Sequence, residues 1–195
     1  MGALAVAAAS MSNAFGQTST TVPTIPTKVS LVLIDPAKPV TVTVSAPKGW
    51  TKSAGDDFAS FSLASSVSSP SPYLSVSVNC DGDCTVAKID KTIARRTTAL
   101  IERAKKPNLN TGDSKLDAVR APVKVLGQGA LKPAGQWVAL DVGTPNPKEP
   151  YFDGFKATCL LHRPNDDYFI QTDIGVSRKD KALFPMLLAA CKATK

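Results

Sequence analysis

"YLSVSVNCDGDCTVAKIDKTIARRTTALIERAKK", residues 73 to 106, changes its hydrophobic period halfway along, and that change decides the fold class. Up to Asn79 the apolar residues Leu74, Val76 and Val78 alternate with polar ones, the mark of a strand with one buried face. Beyond the cysteines, Ile89, Ile93, Leu100 and Ala104 recur at helical spacing until Pro107 and Asn108 stop the run, and Thr85 stands where a cap would. A strand therefore feeds a long helix through Asn79-Cys80-Asp81-Gly82-Asp83-Cys84, a turn sequence centred on Gly82.

The segments on either side repeat the strand signal. "VSLVLI" (29–34) and "VTVTVSA" (40–46) are dense in β-branched residues, and in the second Val40, Val42 and Val44 share a face. Between them lies the proline-rich turn Asp35-Pro36-Ala37-Lys38-Pro39. "DFASFSLAS" predicts a third strand, and Trp50, closing "APKGW", is expected to fold back over a core edge. In the second half, "DAVRAPVKVLGQG" and "GQWVALDVG" predict two more strands, the Gly127-Gln128-Gly129 element marking a bulge. "FKATCLLHRPNDDYFIQTDIGVS" predicts a hairpin turning at Pro164, Asn165, Asp166 and Asp167. "KDKALFPMLLAACKA" closes as a helix, with Pro185 in its first turn or at a kink. The expected fold is α+β, a mainly antiparallel sheet with two helices packed on one face.

Length and composition place one domain on the chain. With 195 residues, 43% of them hydrophobic, there is material for a single sizeable core. The start reads differently: an apolar run from Ala3 to Ala9, a polar neck, then Ala14 and Gly16 before Gln17 predict a secretory signal over 1–16. Residues 17–28 are rich in Thr and Pro and predict an extended linker. The α+β domain is expected over 29–195, with no transmembrane segment and a periplasmic or secreted location.

Four cysteines suit that location. Cys80 with Cys84, and Cys159 with Cys191, is the expected pairing: the first is local, the second ties the terminal helix to the sheet. A structural zinc site would want paired cysteine or histidine ligands, and the chain has one histidine and no Cys-x-x-Cys. Asp81 and Asp83 lack the run of oxygen ligands that calcium needs. No metal and no cofactor is expected.

Chemistry-bearing constellations are sparse. His162 is the sole histidine, and strand alternation puts it on the opposite face from Cys159, which disfavours a dyad. No Gly-x-Ser-x-Gly and no Walker motif occurs, and Asp166 and Asp167 read as solvated turn carboxylates. The net charge of +7 favours anionic partners but is too diffuse to identify one. The predicted helix is the most charge-biased element, with Lys88, Lys91, Arg95, Arg96, Arg103, Lys105 and Lys106 against Asp90 and Glu102, and Lys91, Arg95, Arg96 and Arg103 are its candidate contact residues. Arg95 and Arg96, as sequence neighbours, are expected to point apart and not to form a clamp. Tyr73, Tyr151 and Tyr168 are possible stacking groups for nucleic acid, but export and the lack of aromatic and basic residues interleaved on one strand argue against it. The Pro-rich connection 144–152, carrying Tyr151 and Phe152, is the expected contact loop.

The order of elements, with "VTVTVSAPKGW" opening the sheet, "YLSVSV" before the long helix and "FKATCLLHRPNDDYFIQTDIG" before the last one, resembles the PsbP-like α/β sandwich. That resemblance covers about residues 29–195 and implies an accessory or binding role without assigning a site. The resulting expectation is an exported, non-catalytic binding or accessory protein of the bacterial envelope, an inhibitor or immunity protein being one form of it. Its partner would be a protein or an anionic envelope polymer. Two alternatives stand beside it: a small hydrolase using His162, and attachment to anionic surface polymers through the basic helix.

Overall fold

The computed structural model describes residues 22–34, 37–63, 71–82, 84–105, 123–142 and 154–195. The expected signal over 1–16 and the contact residues Tyr151 and Phe152 lie outside the described residues.

Two long strands, β1 (Thr24–Ile34) and β2 (Ala37–Pro47), form a hairpin of their own. Its ladder sets Val29 against Val42 and Leu31 against Val40, so the middle of one face of the ribbon is apolar and buried. β1 begins at Thr24, so residues 24–28 of the expected linker are paired strand: their partners Thr43–Pro47 extend the ladder beyond the apolar run that the sequence advertises. The remaining strands make a seven-stranded antiparallel sheet of β3 (Thr51–Ala54), β4 (Phe58–Ser62), β5 (Tyr73–Asn79), β6 (Lys124–Ala130), β7 (Ala134–Val142), β8 (Gly154–His162) and β9 (Phe169–Ser177). Their spatial order is β3-β4-β5-β9-β8-β7-β6. The helices are α1 (Val86–Lys105) and α2 (Phe184–Ala193), the latter entered through a 3₁₀ turn over Arg178–Leu183, with Pro185 in its first turn. Proline is tolerated there because the first N–H groups of a helix have no intrahelical partner. Over the described residues the fold is α+β, with a mainly antiparallel sheet and two helices.

The two helices do not share a face. α1 lies over β6, β7 and β8 and meets the side of the sheet that carries Leu160, His162, Phe169 and Gln171. α2 lies on the other side, where Cys191 joins Cys159 and reaches the backbone of Thr172. Side-chain alternation makes this unavoidable: Leu160 and Cys159 are neighbours on β8 and point opposite ways. The β1–β2 hairpin shares the second side with α2, over Ala59, Phe61, Leu74 and Val76, and the main core lies there.

Two close approaches fix the β6–β7 edge of the sheet. A Cβ on Gly129 would fall 2.8 Å from the Trp137 indole and one on Gly127 3.0 Å, so this glycine pair is the floor on which Trp137 lies. The predicted bulge sits beside it, between Val125 and Gly127. Trp50 packs against the core edge as expected.

Candidate functional site

The strand-to-helix turn with which the sequence was opened builds one wall of a cleft. Asp81 and Gly82 take consecutive left-handed conformations, φ 58° and 80°, and the Asn79 side chain accepts a hydrogen bond from the Asp81 N–H at 2.8 Å. Cys80 and Cys84 close the turn with Cα atoms 4.9 Å apart. Reversed this way, the chain aims the Asp81 carboxylate back at the middle of α1. There Arg95 Nη2 donates to Oδ2 at 2.7 Å and Arg96 Nη2 to Oδ1 at 2.9 Å. The two arginines therefore converge on one carboxylate instead of pointing apart, because their long side chains span the 100° that separates neighbouring helical positions. The hydrogen bond from Arg96, and then that from Arg95, hold the Asp81 carboxyl below its ordinary value.

From Arg96 the polar contacts run inward across the sheet. Its guanidinium stacks over Phe169 with 5.0 Å to the ring centre, and Nη1 donates to Gln171 Oε1 at 2.8 Å. Gln171 Nε2 donates to Asp173 Oδ2 at 2.6 Å, and Thr158 Oγ1 donates to Asp173 Oδ1 at 2.6 Å. Thr158 and Asp173 are direct cross-strand partners on β8 and β9, so the register of the hairpin places them together. Burial and the nearby Asp173 charge both push the Tyr73 hydroxyl above its ordinary value. Asp81, Arg95, Arg96, Thr158, Gln171 and Asp173, with Ala99, Leu100 and Leu160, line an open cleft of about 540 Å³ between α1 and the sheet.

His162 belongs to a different setting. It is buried, with Nδ1 2.8 Å from Asp90 Oδ1 and Nε2 2.8 Å from the Asp166 carbonyl oxygen. Both ring nitrogens face oxygen acceptors. The two turn aspartates are also engaged, although the sequence suggested solvated carboxylates. Arg163 Nε donates to Asp166 at 2.7 Å and Lys38 pairs with Asp167 at 2.9 Å, while Arg163 also bonds the Tyr168 hydroxyl and the Thr41 carbonyl. This cluster fastens the β8–β9 turn to the β1–β2 hairpin.

Of the helix cations singled out by sequence, Lys91 is exposed, Arg95 and Arg96 are on Asp81, and the side chain of Arg103 lies outside what is described. The four cysteines come together in the expected pairs, Cys159 and Cys191 with Cα atoms 5.9 Å apart. Sequence reasoning did not find Thr158, Gln171 and Asp173 as site residues. Their signal is the polar residue at alternate positions of an otherwise apolar hairpin, which ordinary amphipathic alternation also produces. Among the described residues no group of three or more His, Cys, Asp or Glu comes together to hold a metal, and no helix is long and apolar enough to cross a membrane.

No protein-family model matches the chain, and no curated protein matches it. Solved structures similar to it include the Saccharomyces cerevisiae Ran-binding protein Mog1p, at 8% identity and TM-score 0.43 over 88% of this chain and 96% of that one. A Pseudomonas aeruginosa protein of unknown function, PA94, is similar at 14% identity and TM-score 0.41 over 85% of this chain and 94% of that one. Likeness at this level carries no argument about function, and it does not place the chain in the PsbP-like group.

Proposed function

We propose that the protein is an exported binding or accessory protein of the bacterial envelope that recognises a protein partner through the cleft between α1 and the sheet. An inhibitor or immunity protein is one form this role would take. The observation that carries the reading is the state of the cleft's ionised groups: Asp81, Arg95, Arg96 and Asp173 are each held by neighbouring side chains at hydrogen-bond distance. Such a surface is ordered before anything binds, which lowers the cost of ordering on association. The paired cysteines suit an oxidising compartment.

Affinity capture from a native bacterial envelope fraction tests the role, with the protein and its Ala99→Trp variant used side by side. Ala99 is an exposed residue on the cleft wall, so a bulky ring there fills the cleft without entering the core. One stoichiometric protein captured by the unaltered chain and lost with Ala99→Trp is the expected result. Capture of polysaccharide that fades steeply with added salt would favour the anionic-polymer alternative. Alkylation of the native protein without reduction should label none of the four cysteines, and labelling of all four would remove the case for export.

A further inference from the structure

A carboxylate shared between two guanidinium groups, one oxygen to each, is the geometry with which arginines recognise an acidic side chain from outside. Here the carboxylate is the chain's own. Asp81 is 31% exposed, Arg95 70% and Arg96 28%, so the pair sits at the mouth of the cleft and not in its interior. An ion pair this open is weak and screened by salt, and a second carboxylate can replace Asp81 at small cost. The receiving half is better fixed than the occupant: Arg96 is braced by the Phe169 ring beneath it and by Gln171 beside it, and both contacts remain when Asp81 departs. Behind the arginines the cleft offers Ala99 and Leu100 on one side and Thr158 and Gln171 on the other, room for the residues flanking an incoming acid. The net charge of +7 favours the approach of an acidic surface.

We propose that Arg95 and Arg96 form a docking site for an acidic side chain of a protein partner, and that Asp81 occupies it as an internal stand-in until that side chain displaces it. The inference rests on the reading of the cleft as a protein-binding surface and names the chemistry of what enters it. The stapled turn has a defined part here. Left-handed backbone at Asp81 and Gly82, the Asn79 bond and the Cys80–Cys84 link keep the stand-in aimed at its arginines, so the site is filled by default.

The test needs no partner. Binding of a glutamate hexapeptide, and separately of inorganic phosphate, to the full chain with its cysteines paired is measured by calorimetry at low and at physiological salt. Asp81→Asn removes the competing carboxylate, and asparagine tolerates the left-handed backbone, so the turn is retained, with near-ultraviolet circular dichroism as the check. The expected result is hexapeptide binding about fivefold tighter in Asp81→Asn than in the unaltered chain. Adding Arg96→Gln should abolish that gain. Adding Lys124→Gln, the same charge change on the exposed strand β6, should leave it.

Equal affinity with and without Asp81→Asn would overturn the proposal. So would a gain that Lys124→Gln removes as fully as Arg96→Gln, since net charge would then explain it, and so would a gain for phosphate with none for the peptide. A failed capture experiment tells against the partner, and a failed peptide experiment against the arginine site, so the two are told apart.

Discussion

The two faces of the seven-stranded sheet are built by opposite means. Under α2 and the β1–β2 hairpin the contact is dry: Val29, Leu31, Val42, Val44, Phe61, Leu74, Val76 and Ile174 are all essentially inaccessible, and a cysteine pair crosses the layer. Under α1 the layer starts the same way at Ile89, Ile93, Leu160 and Phe169 but gives way along the β8–β9 pair, away from its turn, to a polar cleft of Arg96, Gln171, Asp173 and Thr158. Burial of apolar area stabilises by roughly 25 cal/mol per Å², whereas exposed ion pairs are worth about 0 to 1 kcal/mol. One face therefore holds the molecule together, and the other can be shaped for recognition at little cost in stability.

Removing supports from the two faces in turn should expose that asymmetry. The largest loss is expected from Cys159→Ala with Cys191→Ala. Their sequence separation of 32 gives about 3 to 4 kcal/mol in the chain-entropy account, read as a shift in the urea midpoint. Leu31→Ala, in the middle of the hairpin interface, should cost about 3 kcal/mol in the same assay, by lost burial and a residual cavity. The Cys80–Cys84 pair closes a much shorter loop, separation 4, and Cys80→Ala with Cys84→Ala should cost about 2 kcal/mol. Arg96→Gln on the cleft side should cost no more than about 1 kcal/mol. A cleft variant that destabilises as much as Leu31→Ala would break the division between the faces.

The smallest effects are those of pH, and their signs differ. Asp81 titrates below its ordinary value of 3.8 in the folded chain, so its contribution is present above that pH and fades as pH falls through the lowered value. Tyr73 titrates above its ordinary value of 10.0, so what it contributes is complete below pH 10.0 and is lost as pH rises through the raised value. Asp81→Asn should flatten only the acid limb of stability against pH, and Tyr73→Phe only the alkaline limb. Both are small because Asp81 sits at the surface, and Tyr73 keeps its proton below the alkaline limb.

Much of the architecture was legible from residue pattern alone, because alternation at Val40, Val42 and Val44, at Leu74, Val76 and Val78, and along the 155–177 hairpin reports which face is buried before any partner is known. β3 was not legible: Thr51, Lys52, Ser53 and Ala54 are exposed and carry no apolar signal, and only pairing with β4 makes them a strand. Placement of the helices on opposite faces was hidden for a related reason, since a period shows that a helix has an apolar stripe and not which side of a sheet receives it. The cleft was read least well. Asp81 was visible as a turn residue and Arg95 and Arg96 as surface charge, but their meeting depends on the turn's left-handed backbone folding the chain back by some fourteen residues, a tertiary fact with no local sequence mark.

The most direct test of the division between a binding face and a holding face is a hydrogen-exchange footprint of the captured complex. Protection gained on binding should fall on the β5–α1 turn, the middle of α1 around residues 95–100, and β9 around 169–173, with the β1–β2 hairpin and α2 unchanged. New protection confined to the hairpin and α2, with the α1 side exchanging as in the free protein, would contradict the account.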